Sequence, residues 1–141
     1  MPTFLIKTEP GEYHWDDLVR DKRTHWSGVT NPAAQKNMRT IAKGDECLWY
    51  HTGDEKAIVG LARVAKGAYP DPDNPGTTAA GETKFVLFDV EPVRAAKTPV
   101  TLAMLKDDAR FESFDLLRLP RLSVMPVPAK LDAIIRKLAG L

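Results

Sequence analysis

A short segment around Trp26 combines residue types that suit the binding of a flat ligand. Trp26 offers a large aromatic ring, and Gly28 has no Cβ, so a ligand can approach the backbone there. Asn31 and Pro32 predict a helix start, because the Asn side chain can accept from free backbone N–H groups and Pro suits the first helical position. The positive end of that helix would face the same spot. The alternative is that Trp26 is a core aromatic residue and Gly28 an ordinary turn.

Four further groups of candidate residues stand at predicted turns or strand ends. They are Lys7 to Glu9, Tyr50 to Thr52, Tyr69 to Asp71, and Ser123. Each group alone is a weak signal. The sequence has no phosphate-cradling Gly-rich motif, no Gly-x-Ser-x-Gly motif, and no Cys and His residues at metal-ligand spacing. We therefore expect neither a metal nor a cofactor.

The first half of the chain is expected to place these groups on short strands and helices. Residues 3–7 are apolar and β-prone and predict a buried strand, and residues 16–20 predict a short helix. The helix that begins at Asn31 is expected to stop at Gly44. Within it, one face is apolar (Ala34, Met38, Ile41) and the opposite face is basic (Lys36, Arg39, Lys43).

The second half predicts a sheet and a closing helix. Residues 46–52 and 57–66 predict a β-hairpin, and residues 69–81 predict a loop. Further strands are predicted at 85–93, ending near Pro92, and at 121–126. Thr101 is expected to cap a short helix, and a last helix from Pro128 is expected to pack through Leu131, Ile134, Ile135 and Leu138. This mixture predicts an α+β fold with a mostly antiparallel sheet or barrel.

The composition is that of an ordinary globular domain. The 141 residues are 43% hydrophobic and 28% charged, which predicts one domain over residues 1–141. The net charge of +1 gives no global attraction to nucleic acid, so any such binding must come from a local patch. The single Cys47 and the lack of a basic leader or long apolar run predict a cytoplasmic protein that does not contact membranes.

Seven short motifs follow one another along the chain. They are Lys7-Thr8-Glu9-Pro10, Trp26-x-Gly28-Val29-x-Asn31, Gly44-Asp45, Tyr50-His51-Thr52, Ile58-Val59-Gly60, Tyr69-Pro70-Asp71 and Arg121-Leu122-Ser123-Val124-x-Pro126. Together they resemble the EVE domain family of the PUA-like superfamily over nearly the whole chain. The sequence departs from that pattern at Thr30, where Arg is frequent, and in a short insert after Asp71.

The resemblance implies a PUA-like curled antiparallel β-barrel flanked by helices, with a pocket for a modified base flipped out of DNA, in preference to RNA. It places these residues in or near the pocket: Lys7, Thr8, Glu9, Trp26, Gly28, Val29, Asn31, Tyr50, His51, Thr52, Tyr69, Asp71 and Ser123. Stacking on an aromatic ring could return roughly 1–3 kcal/mol of the cost of flipping. Glu9 or Asn31 could pair with the base edge.

Three basic residues are candidates for phosphate contacts. Lys36, Arg39 and Lys43 share the predicted basic face of the helix that starts at Asn31. A solvated face is the alternative for all three.

Two other function classes remain open from the sequence. The related ASCH group includes small amidohydrolases that use Lys, Thr and Glu, the residue types of Lys7, Thr8 and Glu9. Neighbours in a strand point to opposite faces, however, so Lys7 and Glu9 can converge but Thr8 should not. A protein-binding adaptor is the third class, and it has little support because the last helix is assigned to the core.

Overall fold

Six strands form one mixed sheet in residues 2–141, the part of the chain that the computed structural model describes. They are β1 (Thr3–Thr8), β2 (Thr24–Trp26), β3 (Glu46–His51), β4 (Ala57–Pro70), β5 (Val86–Thr101) and β6 (Val124–Val127). Five α-helices accompany them within the same residues: α1 (Trp15–Asp21), α2 (Pro32–Met38), α3 (Leu102–Lys106), α4 (Asp115–Arg118) and α5 (Ala129–Ala139). The predicted α+β class is confirmed.

The sheet is curled, because strands far apart in its hydrogen-bonded order line one cavity. The order is β2-β5-β4-β3-β1-β6, with β1 parallel to β3 and the other neighbours antiparallel. Three strands separate β1 from β2, yet Lys7 of β1 and Trp26 of β2 face the same cavity. Among the described residues no ladder joins the edge strands β2 and β6, so strand pairing alone does not close the expected barrel.

Helix α2 bridges the two ends of the curled sheet. The buried Gln35 side chain donates to the Val29 carbonyl at 2.8 Å and accepts from the Val86 N–H of β5 at 2.9 Å. Asn37 donates to the Val124 carbonyl of β6 at 2.8 Å. Since both ends of the Gln35 amide are satisfied, its burial carries no desolvation penalty from an unpaired group. These bonds fix the segment before α2 against the sheet.

A row of aromatic rings fills the core between α1 and β2. Trp15 meets Trp49 edge-on with 5.8 Å between ring centroids, and Trp49 meets Trp26 edge-on at 5.1 Å. Trp26 also lies nearly parallel to Phe88 at 6.2 Å. Each such pair contributes about 0.5–1.5 kcal/mol beyond its buried area. The fully buried Trp49 therefore couples the position of α1 to that of Trp26.

Several predicted elements are confirmed. The structure forms the first strand, the short helix α1 and the β3–β4 hairpin. The Asn31 side chain caps α2 by accepting from the N–H groups of Ala33 and Ala34 at 2.9 and 3.1 Å. Thr101 caps α3 in the same way, by accepting from the Met104 N–H at 3.1 Å.

The predicted end of the helix from Asn31 is wrong, because α2 stops at Met38 and not at Gly44. The Thr40 hydroxyl donates to the Asn37 carbonyl, and the Asp45 carboxylate accepts from the Ala42 N–H. These side chains form hydrogen bonds with the backbone, and such bonds compete with the hydrogen bonds of a helix. Lys43 consequently lies outside the helix, although the predicted apolar positions 34, 38 and 41 are all buried.

Strands β4 and β5 are longer than predicted. β4 includes residues 69 and 70, so the loop begins at Asp71, and β5 continues beyond Pro92 to residue 101. Pro92 is opposite Ala62, where the register shifts after Leu61. Proline is tolerated at such irregularities because its missing N–H costs no regular ladder bond. The last strand starts at Val124, later than the sequence predicted.

The apolar stripe of α5 is only partly buried. Ile135 is fully buried, whereas Leu138 is 39% exposed and Ala139 takes the buried position at the helix end. The helix ends at Gly140, which has a positive φ of 72°.

In residues 2–141 no helix is long and apolar enough to span a membrane.

We predict that Gly60→Ala destabilises the fold. A Cβ at this position in β4 would lie 2.7 Å from ring atoms of buried Trp15, so the first ring of the aromatic row must move. Overpacking of this kind costs about 1–3 kcal/mol in the free energy of unfolding, measurable by urea denaturation. Gly11→Ala is the matched control, since its Cβ would meet only a Glu9 oxygen at 4.0 Å. Equal stability of the two variants would contradict the prediction.

Candidate functional site

A cavity of about 510 Å³ opens between the end of β1, strand β2 and the segment that leads into α2. It is open to solvent and has a mixed polar and aromatic lining. The lining residues are Lys7, Thr8, Glu9, Glu12, Tyr13, Thr24, His25, Trp26, Ser27, Gly28, Val29, Thr30, Asn31 and Ser123. Eight of the thirteen residues that the resemblance placed in the pocket line this cavity: Lys7, Thr8, Glu9, Trp26, Gly28, Val29, Asn31 and Ser123.

Trp26 belongs to both the core and the cavity wall. Its side chain is only 8% exposed, and the rings of Trp49 and Phe88 support it from the interior. The two interpretations of Trp26 from the sequence are therefore compatible. A ligand in the cavity would meet an aromatic residue that packing already holds in place, so its side chain has little freedom left to lose on binding.

The polar groups at the end of β1 are held by short contacts. The Lys7 N–H donates to the Ser123 carbonyl at 2.9 Å, which brings Ser123 beside β1. The half-buried Lys7 amine donates to the Pro120 carbonyl at 3.0 Å and lies 5.8 Å from the Tyr50 ring centroid. Burial lowers the pKa of Lys7, because the charged amine loses hydration.

Glu9 supplies a carboxylate acceptor at the rim of the cavity. Its carboxylate accepts from the Thr52 hydroxyl at 3.1 Å, and a Cβ on Gly53 would lie 3.0 Å from the same carboxylate. The absence of a side chain at Gly53 thus leaves room for Glu9. The neighbouring Thr8 hydroxyl donates to the Tyr13 carbonyl at 3.3 Å.

The side chain of Asn31 uses its oxygen to cap α2 and can use its nitrogen to bind a ligand. Its side-chain oxygen accepts the two backbone N–H groups that cap α2. Its amide nitrogen has no hydrogen-bond partner within residues 2–141 and can donate to a ligand. Gly28, with a φ of 76°, makes the turn between Trp26 and Asn31, a conformation that favours glycine.

Five residues expected in the pocket lie outside the cavity lining: Tyr50, His51, Thr52, Tyr69 and Asp71. Tyr50 is only 3% exposed and packs in the core, where burial raises its pKa. Thr52 touches the site indirectly, through Glu9. Asp71 binds residues of its own loop, accepting from the Asp73 N–H and the Asn74 amide.

Tyr69 does not line the cavity but supports β2 through Asp89. Its hydroxyl donates to Asp89 at 2.5 Å, and Arg23 donates to the other oxygen of the same carboxylate at 2.9 Å. Burial and the bond to the carboxylate raise the pKa of Tyr69 to about 12. Desolvation opposes ionisation of Asp89, but the bonds from Tyr69 and Arg23 outweigh it and lower its pKa. Asp89 of β5 lies opposite His25 of β2 in the antiparallel ladder, so this network holds β2 on the sheet.

His51 belongs to a separate cluster with His14 and Glu55. One ligand atom from each lies within 4.8 Å of the others, a spacing that a metal ion could bridge. However, His51 Nε2 accepts from the Trp15 N–H and His14 Nδ1 accepts from the Asp16 N–H. A neutral imidazole that accepts at one nitrogen carries its proton on the other. The nitrogens that face Glu55 are thus N–H donors, and the cluster ties α1 to the hairpin.

The three predicted phosphate contacts differ in their surroundings. Lys36 and Lys43 are exposed, and neither lines the cavity. Arg39 is folded inward, with its side chain only 17% exposed, and donates to the carbonyls of Thr83 and Lys84 at 3.2 and 3.3 Å.

Six lining residues are absent from the predicted pocket set: Glu12, Tyr13, Thr24, His25, Ser27 and Thr30. Thr24 shares the face of Trp26 in β2, because side chains two residues apart in a strand point the same way, whereas His25 and Ser27 are its direct neighbours in the chain. Glu12 and Tyr13 reach the cavity because their N–H groups turn back onto the Glu9 carbonyl at 2.9 and 3.0 Å. The Pro10-Gly11 pair was the signal for this turn.

Comparisons with known proteins agree with this architecture. The EVE domain model matches residues 3–138. Thymocyte nuclear protein 1 of Gallus gallus is 27% identical over 152 residues, covering 88% of this chain, and the chain spans 63% of that protein's length. A solved protein of Rhodopseudomonas palustris is 37% identical with a TM-score of 0.88, and the match covers 99% of this chain and 94% of that one.

A second similar structure contains DNA. It is human THYN1 in complex with 5-methylcytosine-containing DNA, 26% identical with a TM-score of 0.84, and the match covers 100% of this chain and 99% of that one. The resemblance carried by the seven sequence motifs is confirmed by the family match over nearly the whole chain. The chain belongs to the EVE domain family.

Proposed function

We propose that this protein is a non-enzymatic nucleic-acid-binding module that takes a modified base, flipped out of DNA, into the cavity beside Trp26. The proposal is based on one open cavity that joins the aromatic residue Trp26 to polar groups of both hydrogen-bonding types. The structural similarity to human THYN1, which was solved with 5-methylcytosine-containing DNA, supports it. Binding of RNA and a cytoplasmic location stay predictions.

The hydrogen-bonding groups of the cavity favour cytosine over thymine. Lys7 and the free amide nitrogen of Asn31 donate, whereas the Glu9 carboxylate only accepts. The base-pairing edge of cytosine has one amine donor beside two acceptors and complements this set. Thymine presents a carbonyl where cytosine has the amine, so the Glu9 carboxylate would face another acceptor. A 5-methyl group would then need only an apolar contact, such as Val29 or the Trp26 ring.

The curled sheet supports a further part of this proposal. Because α2 contacts both β5 and β6, we infer that it completes a PUA-like barrel across the gap that the strands leave open. In that arrangement the cavity lies at the mouth of the barrel, where a base can enter without unfolding any strand.

We predict that a single-stranded oligonucleotide with one 5-methylcytosine binds more tightly than the same oligonucleotide with cytosine, and that thymine at that position binds weakly. Glu9→Gln should weaken binding of the methylated strand by about tenfold or more, because a hydrogen bond to a charged group is worth about 1.5–3 kcal/mol. Fluorescence anisotropy measures these affinities.

The matched control is Glu112→Gln, which removes the same charge at an exposed position outside the cavity. It should leave the affinity unchanged. Equal affinity for the three strands, or equal loss from the two variants, would refute the assignment of Glu9.

We also predict that base binding weakens as the pH rises above neutrality. Lys7 can donate to the base as a cation only below its pKa, and burial places that pKa below the ordinary value of about 10.4. Affinity for 5-methyldeoxycytidine should therefore be constant near neutral pH and fall as Lys7 loses its proton. Lys7→Arg keeps its charge over this range, and its affinity should stay level. An identical pH profile for the two proteins would exclude Lys7 as the titrating donor.

An amidohydrolase that acts on acylated nucleosides is the second candidate function. Thr8 and the lowered pKa of Lys7 favour it, since an amine that loses its proton readily can act as a base. Against it, the Thr8 hydroxyl donates to the Tyr13 carbonyl and the Lys7 amine to the Pro120 carbonyl. We predict no release of acetate from N4-acetylcytidine by the wild-type protein beyond that by Lys7→Ala. Release that depends on Lys7 would establish the enzyme instead.

A further inference from the structure

A second cavity of about 250 Å³ adjoins the first. The two share Thr30 as a common wall, and the second extends from Pro32 and Arg39 of the α2 region to Lys84 and Phe85, just before β5. Neither Lys84 nor Phe85 was singled out by the sequence. A strand whose base occupies the first cavity must continue past its rim, so the neighbouring cavity is a natural place for the next part of its backbone.

The charges of the second cavity favour an anion. Arg39 and Lys84 are both cationic, and Glu82 is the carboxylate that pairs with Arg39. The Glu82 carboxylate lies 3.8 Å from Arg39 Nε, too far for a hydrogen bond, and its side chain is 59% exposed. The buried Nε atom itself has no hydrogen-bond partner within residues 2–141. An ion pair without a hydrogen bond, whose carboxylate is largely exposed, is readily replaced by an anion that hydrogen-bonds to the guanidinium.

The remaining walls suit the sugar of a nucleotide. Pro32, Ala79 and Phe85 supply apolar surface, and Thr30 and Thr77 supply hydroxyl groups. The Lys84 amine lies 5.4 Å from the Phe85 ring centroid, which keeps its charge beside the cavity. The loop that contributes Thr77 and Lys84 is held in place from α2, because Arg39 donates to the carbonyls of Thr83 and Lys84.

We propose that the second cavity binds the nucleotide that flanks the flipped base, with its phosphate at Lys84 and Arg39 in place of the Glu82 carboxylate. The inference rests on the proposed function, since it requires a nucleic-acid strand in the first cavity. It adds a second subsite and assigns the main phosphate contact to Lys84, outside the basic face predicted from the sequence.

The test compares two ligands that differ in their phosphates. One is 5-methyldeoxycytidine, which has none, and the other is a single-stranded oligonucleotide with one 5-methylcytosine. Lys84→Ala should weaken binding of the oligonucleotide by about threefold to tenfold and lower the slope of log affinity against log salt by about 0.7, the value for one phosphate of a single strand. Its affinity for the nucleoside should not change.

Two further variants test whether the effect is specific to Lys84 and whether a phosphate replaces the Glu82 carboxylate. Lys137→Ala removes an exposed cation on α5 that lines neither cavity, and it should change neither ligand's affinity. Glu82→Gln should tighten oligonucleotide binding by up to about fivefold, because the phosphate no longer competes with a carboxylate. Weaker binding by Glu82→Gln would contradict the proposed replacement.

The outcomes separate this inference from the proposed function. If wild-type protein binds the nucleoside but Lys84→Ala behaves like Lys137→Ala, the second subsite is wrong and the base site stands. If wild-type protein binds neither ligand, the proposed function is wrong and the second subsite with it.

Discussion

The edge-on contact between Trp26 and Trp49 is the constraint on which the site depends. Trp49 is fully buried on β3, near the middle of the sheet, and it fixes the ring of an edge strand that is only three residues long. So short a strand has little stability of its own. The ring of Phe88 and the Arg23–Asp89 pair hold the same strand from the side of β5. Trp26 can therefore form a rigid cavity wall without an extensive ladder of its own.

The second requirement is that distant parts of the chain meet. β1 and β2 are separated by three strands in the sheet, and the curl of that sheet brings the end of one to face the other across the cavity. Helix α2 secures this approach, because Gln35 bonds the start of β5, beside β2, and Asn37 bonds Val124 of β6, beside β1. The polar groups of the site thus come from rigid strand ends and a capped helix, which is the arrangement that preorganised binding requires.

The sequence predicted the local features of this site well and its surroundings less well. The asparagine at position 31 predicts the N-terminal cap of α2. The Trp26 segment stands out in the sequence because an aromatic ring, a glycine and a helix start are adjacent in the chain. Tyr50 and Tyr69 were expected in the pocket but lie outside it, since motif order does not reveal which face of a strand a side chain takes. The second cavity depends on Arg39 meeting residues 83 and 84, a long-range contact that periodicity cannot show.

In the proposed complex, one modified base leaves its strand and enters the cavity beside Trp26. A crystal structure of this protein with duplex DNA that contains one 5-methylcytosine would show where that base lies. We expect the methylated base outside the double helix, its ring against Trp26 and its amine within hydrogen-bonding distance of Glu9. If the base instead remains stacked and paired in the duplex, with the cavity away from the DNA, the proposed binding mode is wrong.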